Sequence, residues 1–305
     1  MRIRATVAAV TGAVALSALA VPAAQAAEPK VPADVVGARE AVQSATSGKS
    51  AFAAAAAAEG TPYALDVSFS NVKVNNGKNI AVGTTNVVKV PVSFTLTHDK
   101  SVNIKASDFV AAVDLYRGPS FEESYWDFTS DDATCTASSA TVASCKATVE
   151  VDPLWLLNED AGSWKAAAFA VAFNGEDQDD PNLDNVGVAV KDGVASFKLQ
   201  RYSKLTVNAS PEPVKKGKTI TVTGKLTRAN WDTGKYAGYA TQSVKLQYRK
   251  KSASTYTTLK TIKGDSTGYL KTTTTASADG YYRFSFAGTT TTPAVNAAGD
   301  YVDVQ

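Results

Sequence analysis

The chain predicts an all-β protein built as two tandem β-sandwiches behind an export signal, on three observations. From Tyr63 onward apolar and polar residues alternate with period two, as in 65–74 (LDVSFSNVKV), the pattern of a strand with one buried face. Short runs rich in Val, Thr, Tyr and Phe then recur, separated by Gly-, Asp- and Asn-rich turns. Finally, 305 residues with 44% hydrophobic content suffice for two ordinary domains with cores of their own.

Residues 1–26 read as a signal peptide. Arg2 and Arg4 precede an apolar run over 5–21, and Ala24-Gln25-Ala26 matches the small-x-small pattern of signal peptidase cleavage. Thr11, Gly12, Ser17 and Pro22 interrupt the run, which is too short and too weakly apolar for a membrane anchor. Ile3 separates the two arginines, so the general secretory route is expected rather than twin-arginine export. No later run of about twenty apolar residues occurs, and a sortase-type Leu-Pro-x-Thr-Gly motif is missing. The mature chain is therefore expected to lack a transmembrane segment and to be secreted, extracellular or loosely associated with the cell wall. In an oxidising compartment Cys135 and Cys145, ten positions apart, are expected to form a disulfide and not a redox Cys-x-x-Cys.

Residues 27–60 are Ala-rich, with Phe52 the single aromatic. The stretch 34–45 favours a helix, but one so short and weakly amphipathic is marginal alone, so the segment is expected to be a flexible or partly helical spacer. The first domain, 61–200, carries strand patterns at 65–74, 87–97, 109–116, 125–128, 147–151, 166–173 and 194–199. The short run 153–157 (PLWLL) reads as a helical turn or a plug at the sandwich end, which periodicity does not decide. The second domain, 201–305, has strand patterns at 204–208, 219–226, 244–249, 257–262, 269–275, 281–286 and 301–304. That number of short, evenly spaced strands is what an immunoglobulin-like sandwich requires, although the Cys pair and Trp spacing of antibody domains are missing.

With the segments 244–251 (VKLQYRKK), 255–262 (TYTTLKTI), 265–269 (DSTGY) and 279–284 (DGYYRF), the C-terminal part resembles the bacterial Ig-like domain found at the C-terminus of many actinobacterial secreted proteins. The resemblance covers roughly the last hundred residues. It implies a β-sandwich accessory module in an exported protein and brings no catalytic residues with it. The expected fold class is thus two tandem Ig-like β-sandwich domains following the signal peptide and the spacer.

Charge divides along the same line. Residues 61–200 hold 19 acidic and 10 basic residues, net −9, whereas 201–305 hold 6 acidic and 16 basic, net +10. A basic C-terminal module would adhere to an anionic cell-wall polymer by summed attraction, with Lys215-Lys216-x-Lys218 and Arg249-Lys250-Lys251 contributing. The same lysines would equally keep turns and edge strands soluble, and the two oppositely charged domains would also attract one another. Nucleic acid is not an expected partner outside the cell.

Counting limits the chemistry. One His, His98, and two Cys exclude haem, His/Cys metal sites and any triad needing a second His. His98 stands beside Asp99, but there is no Gly-x-Ser-x-Gly elbow, so it reads as a turn histidine. Asp177, Asp179, Asp180 and Asp184 in the loop 174–184 are hard oxygen donors suited to Ca2+, alone or with Asp131 and Asp132, although no EF-hand spacing is satisfied. Glu122, Glu123, Asp127 and Asp152 lie among Tyr125, Trp126 and Trp155, carboxylates and aromatics of the kind used on carbohydrate. Tyr248, Tyr269, Tyr281 and Tyr301 fall within strand patterns and read as structural. Trp231, Tyr236 and Tyr239 sit in the apparent loop 230–241, where a binding face is expected. The reading is a non-enzymatic binding or envelope-associated protein; a calcium-stabilised surface protein and a carbohydrate-active hydrolase are the alternatives.

Overall fold

The computed structural model describes residues 33–46 and 60–305. The expected signal peptide, 1–26, and the alanine run 53–58 lie outside the described residues. In chain order the elements are α1 (Ala33–Thr46), β1 (Tyr63–Ala64), β2 (Val67–Val74), β3 (Ile80–Val82), β4 (Val88–His98), β5 (Phe109–Arg117), β6 (Trp126–Thr129), β7 (Thr134–Ala137), β8 (Val142–Val151), β9 (Gly162–Ala172) and β10 (Gly187–Arg201). They continue with β11 (Ser203–Leu205), β12 (Asn208–Ser210), β13 (Thr219–Asn230), β14 (Lys235–Gly238), β15 (Ser243–Lys250), β16 (Thr257–Lys263), β17 (Tyr269–Thr275), β18 (Gly280–Phe286), β19 (Val295–Asn296) and β20 (Asp300–Val302).

Strands through Arg201 form two facing sheets, β2-β4-β8-β7 and β10-β9-β5-β6, with β1 and β3 parallel to β10. Strands from Ser203 form a second pair. The halves of β13 pair β12 with β17 and β11 with β14, opposite the sheet β16-β15-β18-β20. In both pairs one sheet takes the first, second and fifth main strands and the other takes the third, fourth, sixth and seventh. That strand order is the immunoglobulin-like Greek key, so the fold is all-β with two Ig-like sandwiches. The run 153–157 resolves as a 3-10 turn at Pro153–Trp155, capped by the Asp152 carboxylate accepting from Leu154 N.

Local chemistry explains the pairing. In β4 every second residue, Val90, Val92, Phe94 and Leu96, is buried, as one core-facing side demands. β5 departs from alternation: eight consecutive residues, Phe109 to Tyr116, are buried, so both its faces are covered. The inner face meets the opposite sheet. The outer face meets α1, whose Val35, Ala38, Ala41 and Val42 pack on Val110, Ala112, Ala167, Phe169 and Val171.

Within the segment 27–60, expected to be a flexible or partly helical spacer, the described residues 33–46 are helical and pack as a third layer on the first domain. Helix propensity alone left it marginal, and the apolar sheet beneath it supplies the stability. Small side chains on the sheet, Ala112 and Ala167, let the helix approach closely. Gly37 faces the backbone of Gln178, where an added Cβ would stand 2.6 Å from the carbonyl oxygen.

The helix brings a cation with it. Arg39 lies 3.2 Å from the wholly buried Asp114 of β5 and 2.6 Å from Asp127 of β6. Burial pushes the Asp114 carboxyl up to about 6 from its ordinary 3.8; Arg39 opposes the rise and Asp127 adds to it. The folded protein therefore holds a proton here that the unfolded chain releases between about pH 4 and 6. The contribution of this group to stability is complete below that window and is lost as pH rises through 6.

The two domains share packing. Trp231, in the turn after β13, is buried among residues of the first core, and its Nε1 donates to Gly83 O at 2.8 Å. Asn158 fastens the other side, donating from N to the Asp232 carboxylate at 2.9 Å and from Nδ2 to Asn230 Oδ1 at 2.8 Å, while its Oδ1 accepts from Trp231 N at 3.0 Å. Cys135 and Cys145 are bonded directly across β7 and β8.

Two expectations follow. Replacing Arg39 by Ala leaves a buried carboxylate without its cation and should lower stability at pH 8 by about 2–3 kcal/mol, less than a fully buried pair because Arg39 is partly exposed. At pH 5, where Asp114 takes up its proton, the loss should shrink; urea titrations at both pH values measure it, and equal losses would remove Asp114 from the account. Reducing the disulfide opens a ten-residue separation and should cost roughly 2–3 kcal/mol, read from the shift in urea midpoint with and without reductant.

Candidate functional site

The residues singled out by sequence do not gather into one site. Asp184 accepts from Thr61 N at 2.8 Å, and Asp177 accepts from Asp179 N at 3.0 Å. Glu176 holds Asn182 N and Asn185 Nδ2. Asp131 accepts from Thr148 N, and Asp132 from Ala111 N at 3.0 Å, both within the sandwich. Among the described residues no three His, Cys, Asp or Glu side chains converge to hold a metal ion. Asp177, Asp179, Asp180 and Asp184 belong instead to a loop that closes over the first domain, where Leu183 and Val186 join the layer beneath α1.

The carboxylates considered for sugar hydrolysis are also dispersed. Asp127 pairs with Arg39, Asp152 caps its 3-10 turn, and Glu122 and Glu123 are exposed. A cleft of about 530 Å³ on the first domain is lined by Tyr116, Trp164, Lys165 and Lys198 and by no carboxylate, so it lacks the acid pair that glycoside hydrolysis needs. His98 ends β4 with its Nδ1 2.9 Å from Asp99 O. The Asp99 carboxylate is used by Ser101, whose N–H and hydroxyl hold it below the ordinary range.

The aromatic loop expected as a binding face is the domain joint. Trp231 is 6% exposed, Tyr236 packs on the first core, and Tyr239 lies edge-on to Phe286 under the guanidinium of Arg228. Pairing with β14 carries β13 past the expected end at residue 226 to Asn230, so Trp231 is held at the tip of a strand and is not free.

One arrangement does draw chemistry together. The turn 215–218 is tied to its surroundings by Lys216 N donating to Gln305 O and Gly217 N donating to Ala276 O, both at 2.8 Å. Gly217, at φ 81°, takes the left-handed conformation that this turn requires. The hairpin after β15 is fixed by Lys251 N donating to Asp279 O at 3.0 Å. Residues 276–279 are the link from β17 to β18, so both basic turns abut the same loop. Lys215, Lys216, Lys218, Arg249, Lys250 and Lys251 therefore occupy one pole of the second sandwich, against Glu212, Asp279 and Asp303.

Asp279 is already engaged. Its carboxylate accepts from Val304 N at 2.9 Å and from the Tyr301 hydroxyl at 3.1 Å, and these bonds hold it below the ordinary range. Lys251 is pushed above its ordinary value by its bond to Tyr301 and remains charged. The pole stands at the start of β13 and the joint at its end, twelve residues or roughly 35 Å apart. That is several times the Debye length of about 8 Å in physiological salt, so the acidic domain does not neutralise the pole. No ion pair among the described residues crosses the joint. No helix among them is long and apolar enough to cross a membrane.

No protein family's sequence profile matches this chain, and no curated protein does. Among solved structures it is similar to the D0–D1 domains of intimin, at 14% identity over 77% of this chain and 98% of that one, with a TM-score of 0.24. It is also similar to the Yersinia pseudotuberculosis adhesin InvE, at 11% identity over 78% of this chain and 58% of that one, TM-score 0.24. A third likeness is to the BSP domain of a biofilm-associated protein, at 11% identity over 88% and 54%, TM-score 0.23. At these scores the likenesses say nothing of what this chain binds, and its Ig-like class rests on its own strand order.

Because Asp177 and Asp184 accept from backbone amides and no three acidic side chains converge among the described residues, neither added Ca2+ nor EDTA should move the Tm in scanning calorimetry. A rise in Tm with Ca2+ would put a metal on the loop.

Proposed function

We propose that this chain is an exported, non-enzymatic envelope protein whose basic sandwich holds an anionic cell-wall polymer. The observation that carries the reading is the gathering of six cationic side chains, from the turn 215–218 and from the end of β15 and its hairpin, at the pole farthest from the acidic domain. Sequence alone leaves such lysines equally suited to solubility, which is served by scattering them. Six of the module's 16 basic residues stand at this one end, against three acidic ones, and within a module of net charge +10 they sum into a field that attracts a polyanion and weakens with salt. The export signal and the disulfide support an extracellular setting. The acidic domain, net −9, keeps the far end from adhering to the same polymer and presents the second module away from it.

The test is retention of the full chain on isolated Gram-positive cell walls across a salt series. Wild type should bind at low salt and elute as salt rises. The variant K215S/K216S/K218S/K250S/K251S, altered only at exposed positions in the two turns and at the end of β15, should keep its Tm and lose about tenfold or more in affinity. Undiminished binding of the variant, or no binding of wild type at low salt, would overturn the reading.

A further inference from the structure

Lysine turns alone do not account for the sheet beside them. On the outer face of β16-β15-β18-β20, Arg249, Tyr281 and Tyr301 lie in one row, with Arg249 opposite Tyr281 and Tyr281 opposite Tyr301. Tyr256, just before β16, extends the row, and Arg283 with Gln247 forms the next. The guanidinium of Arg249 stands 3.9 Å from the Tyr281 ring centroid and that of Arg283 stands 3.8 Å from the Tyr256 centroid. Tyr281 and Tyr301 are 5.2 Å apart, and Lys251 lies 5.2 Å from the Tyr301 ring. Read from sequence as structural, Tyr281 and Tyr301 point outward, while their neighbour Tyr282 enters the core.

These side chains are half-exposed yet held. Arg283 Nε donates to Gln247 Oε1 at 2.9 Å, Gln247 Nε2 donates to Thr258 Oγ1 at 3.3 Å, and Arg249 donates to Ala253 O at 2.8 Å. Gly299 leaves room for the Tyr256 hydroxyl, which a Cβ there would meet at 2.2 Å. Among the described residues neither arginine forms an ion pair with a carboxylate. A guanidinium stacked on a ring keeps N–H donors at its edge, fitted to a carboxylate or phosphate oxygen. Rings fixed in place lose little entropy when something flat is laid on them.

We propose that this face binds an anionic polysaccharide, its sugar rings stacking on Tyr256, Tyr281 and Tyr301 and its acidic groups pairing with Arg249 and Arg283. The row from Tyr256 to Tyr301 crosses three strand spacings, roughly 14 Å, which accommodates a short run of sugar units. The inference rests on the polyanion reading above and narrows it, because a ringless polyanion satisfies the lysine pole and has nothing to lay against the tyrosines.

The experiment is native affinity electrophoresis of the full chain in gels containing polygalacturonate, polyphosphate or dextran. Wild type should be retarded by polygalacturonate, and Y281A/Y301A should weaken that retardation about tenfold while leaving polyphosphate binding unchanged. Should Y281A/Y301A fail to fold, judged by its melting curve, R249K/R283K keeps the charge, loses the planar stack and should show the same selective loss. Dextran, with rings but no acid, should bind more weakly than polygalacturonate; equal or tighter binding would remove the arginines from the site. Equal weakening toward both polyanions, or toward neither, would make the rings mere packing. Wild type binding polyphosphate but not polygalacturonate would overturn this inference and leave the polyanion reading standing; binding neither would overturn both.

Discussion

Trp231 inserting between the two sandwiches is the contact on which the rest depends. A large indole buried at a joint, with its N–H satisfied by Gly83 O and its backbone amide by Asn158, couples two domains that a bare linker would leave free to swing. The joint is apolar and hydrogen-bonded, and its hold does not come from the opposite charges of the two halves. Salt therefore leaves the coupling in place while it tunes the field at the far pole. The geometry converts a difference in composition into a separation of charge along the molecule.

A second constraint acts on the first domain. A sheet buried on both faces needs a cover, and α1 provides it with four small apolar side chains and one arginine. Asp114 would be a costly group beneath that helix, and Arg39 offsets only part of the cost, which is why its carboxyl stays above the ordinary range. An apolar residue at this position would pack with less penalty. The buried acid instead fixes where Arg39 must sit, and so sets the register of a helix whose remaining contacts are small and interchangeable.

Two ranges of force meet on the second sandwich. In the proposed reading the lysine turns would act over a Debye length on a polyanion, and the tyrosine and arginine row would act at contact and distinguish shapes. Both sit near the link 276–279, where the ends of β13, β15, β17, β18 and β20 come together. The Ig-like Greek key places the turns of distant hairpins side by side at one end, so the clustering follows from topology and needs no motif.

Some of this was legible in the chain itself. Alternation in segments such as 244–249 and 281–286 marks strands, because a half-buried sheet imposes period two on adjacent residues. Composition shows the division of charge, and ten-residue spacing with an extracellular setting points to the Cys135–Cys145 bond. The acidic loop read as a possible metal site because sequence shows carboxylates and not the backbone amides that Asp177 and Asp184 accept from, nor how far apart the fold sets them. The loop 230–241 read as an exposed face because nothing local tells a buried tryptophan from a free one. Which face Tyr281 or Tyr282 shows depends on strand register, and the helix at 33–46 depends on a sheet more than sixty residues away. Sequence by itself determined the elements and the charge of each half, which are properties of neighbouring residues. Tertiary structure alone decided what covers what and which turns meet, because those contacts join residues far apart in the chain.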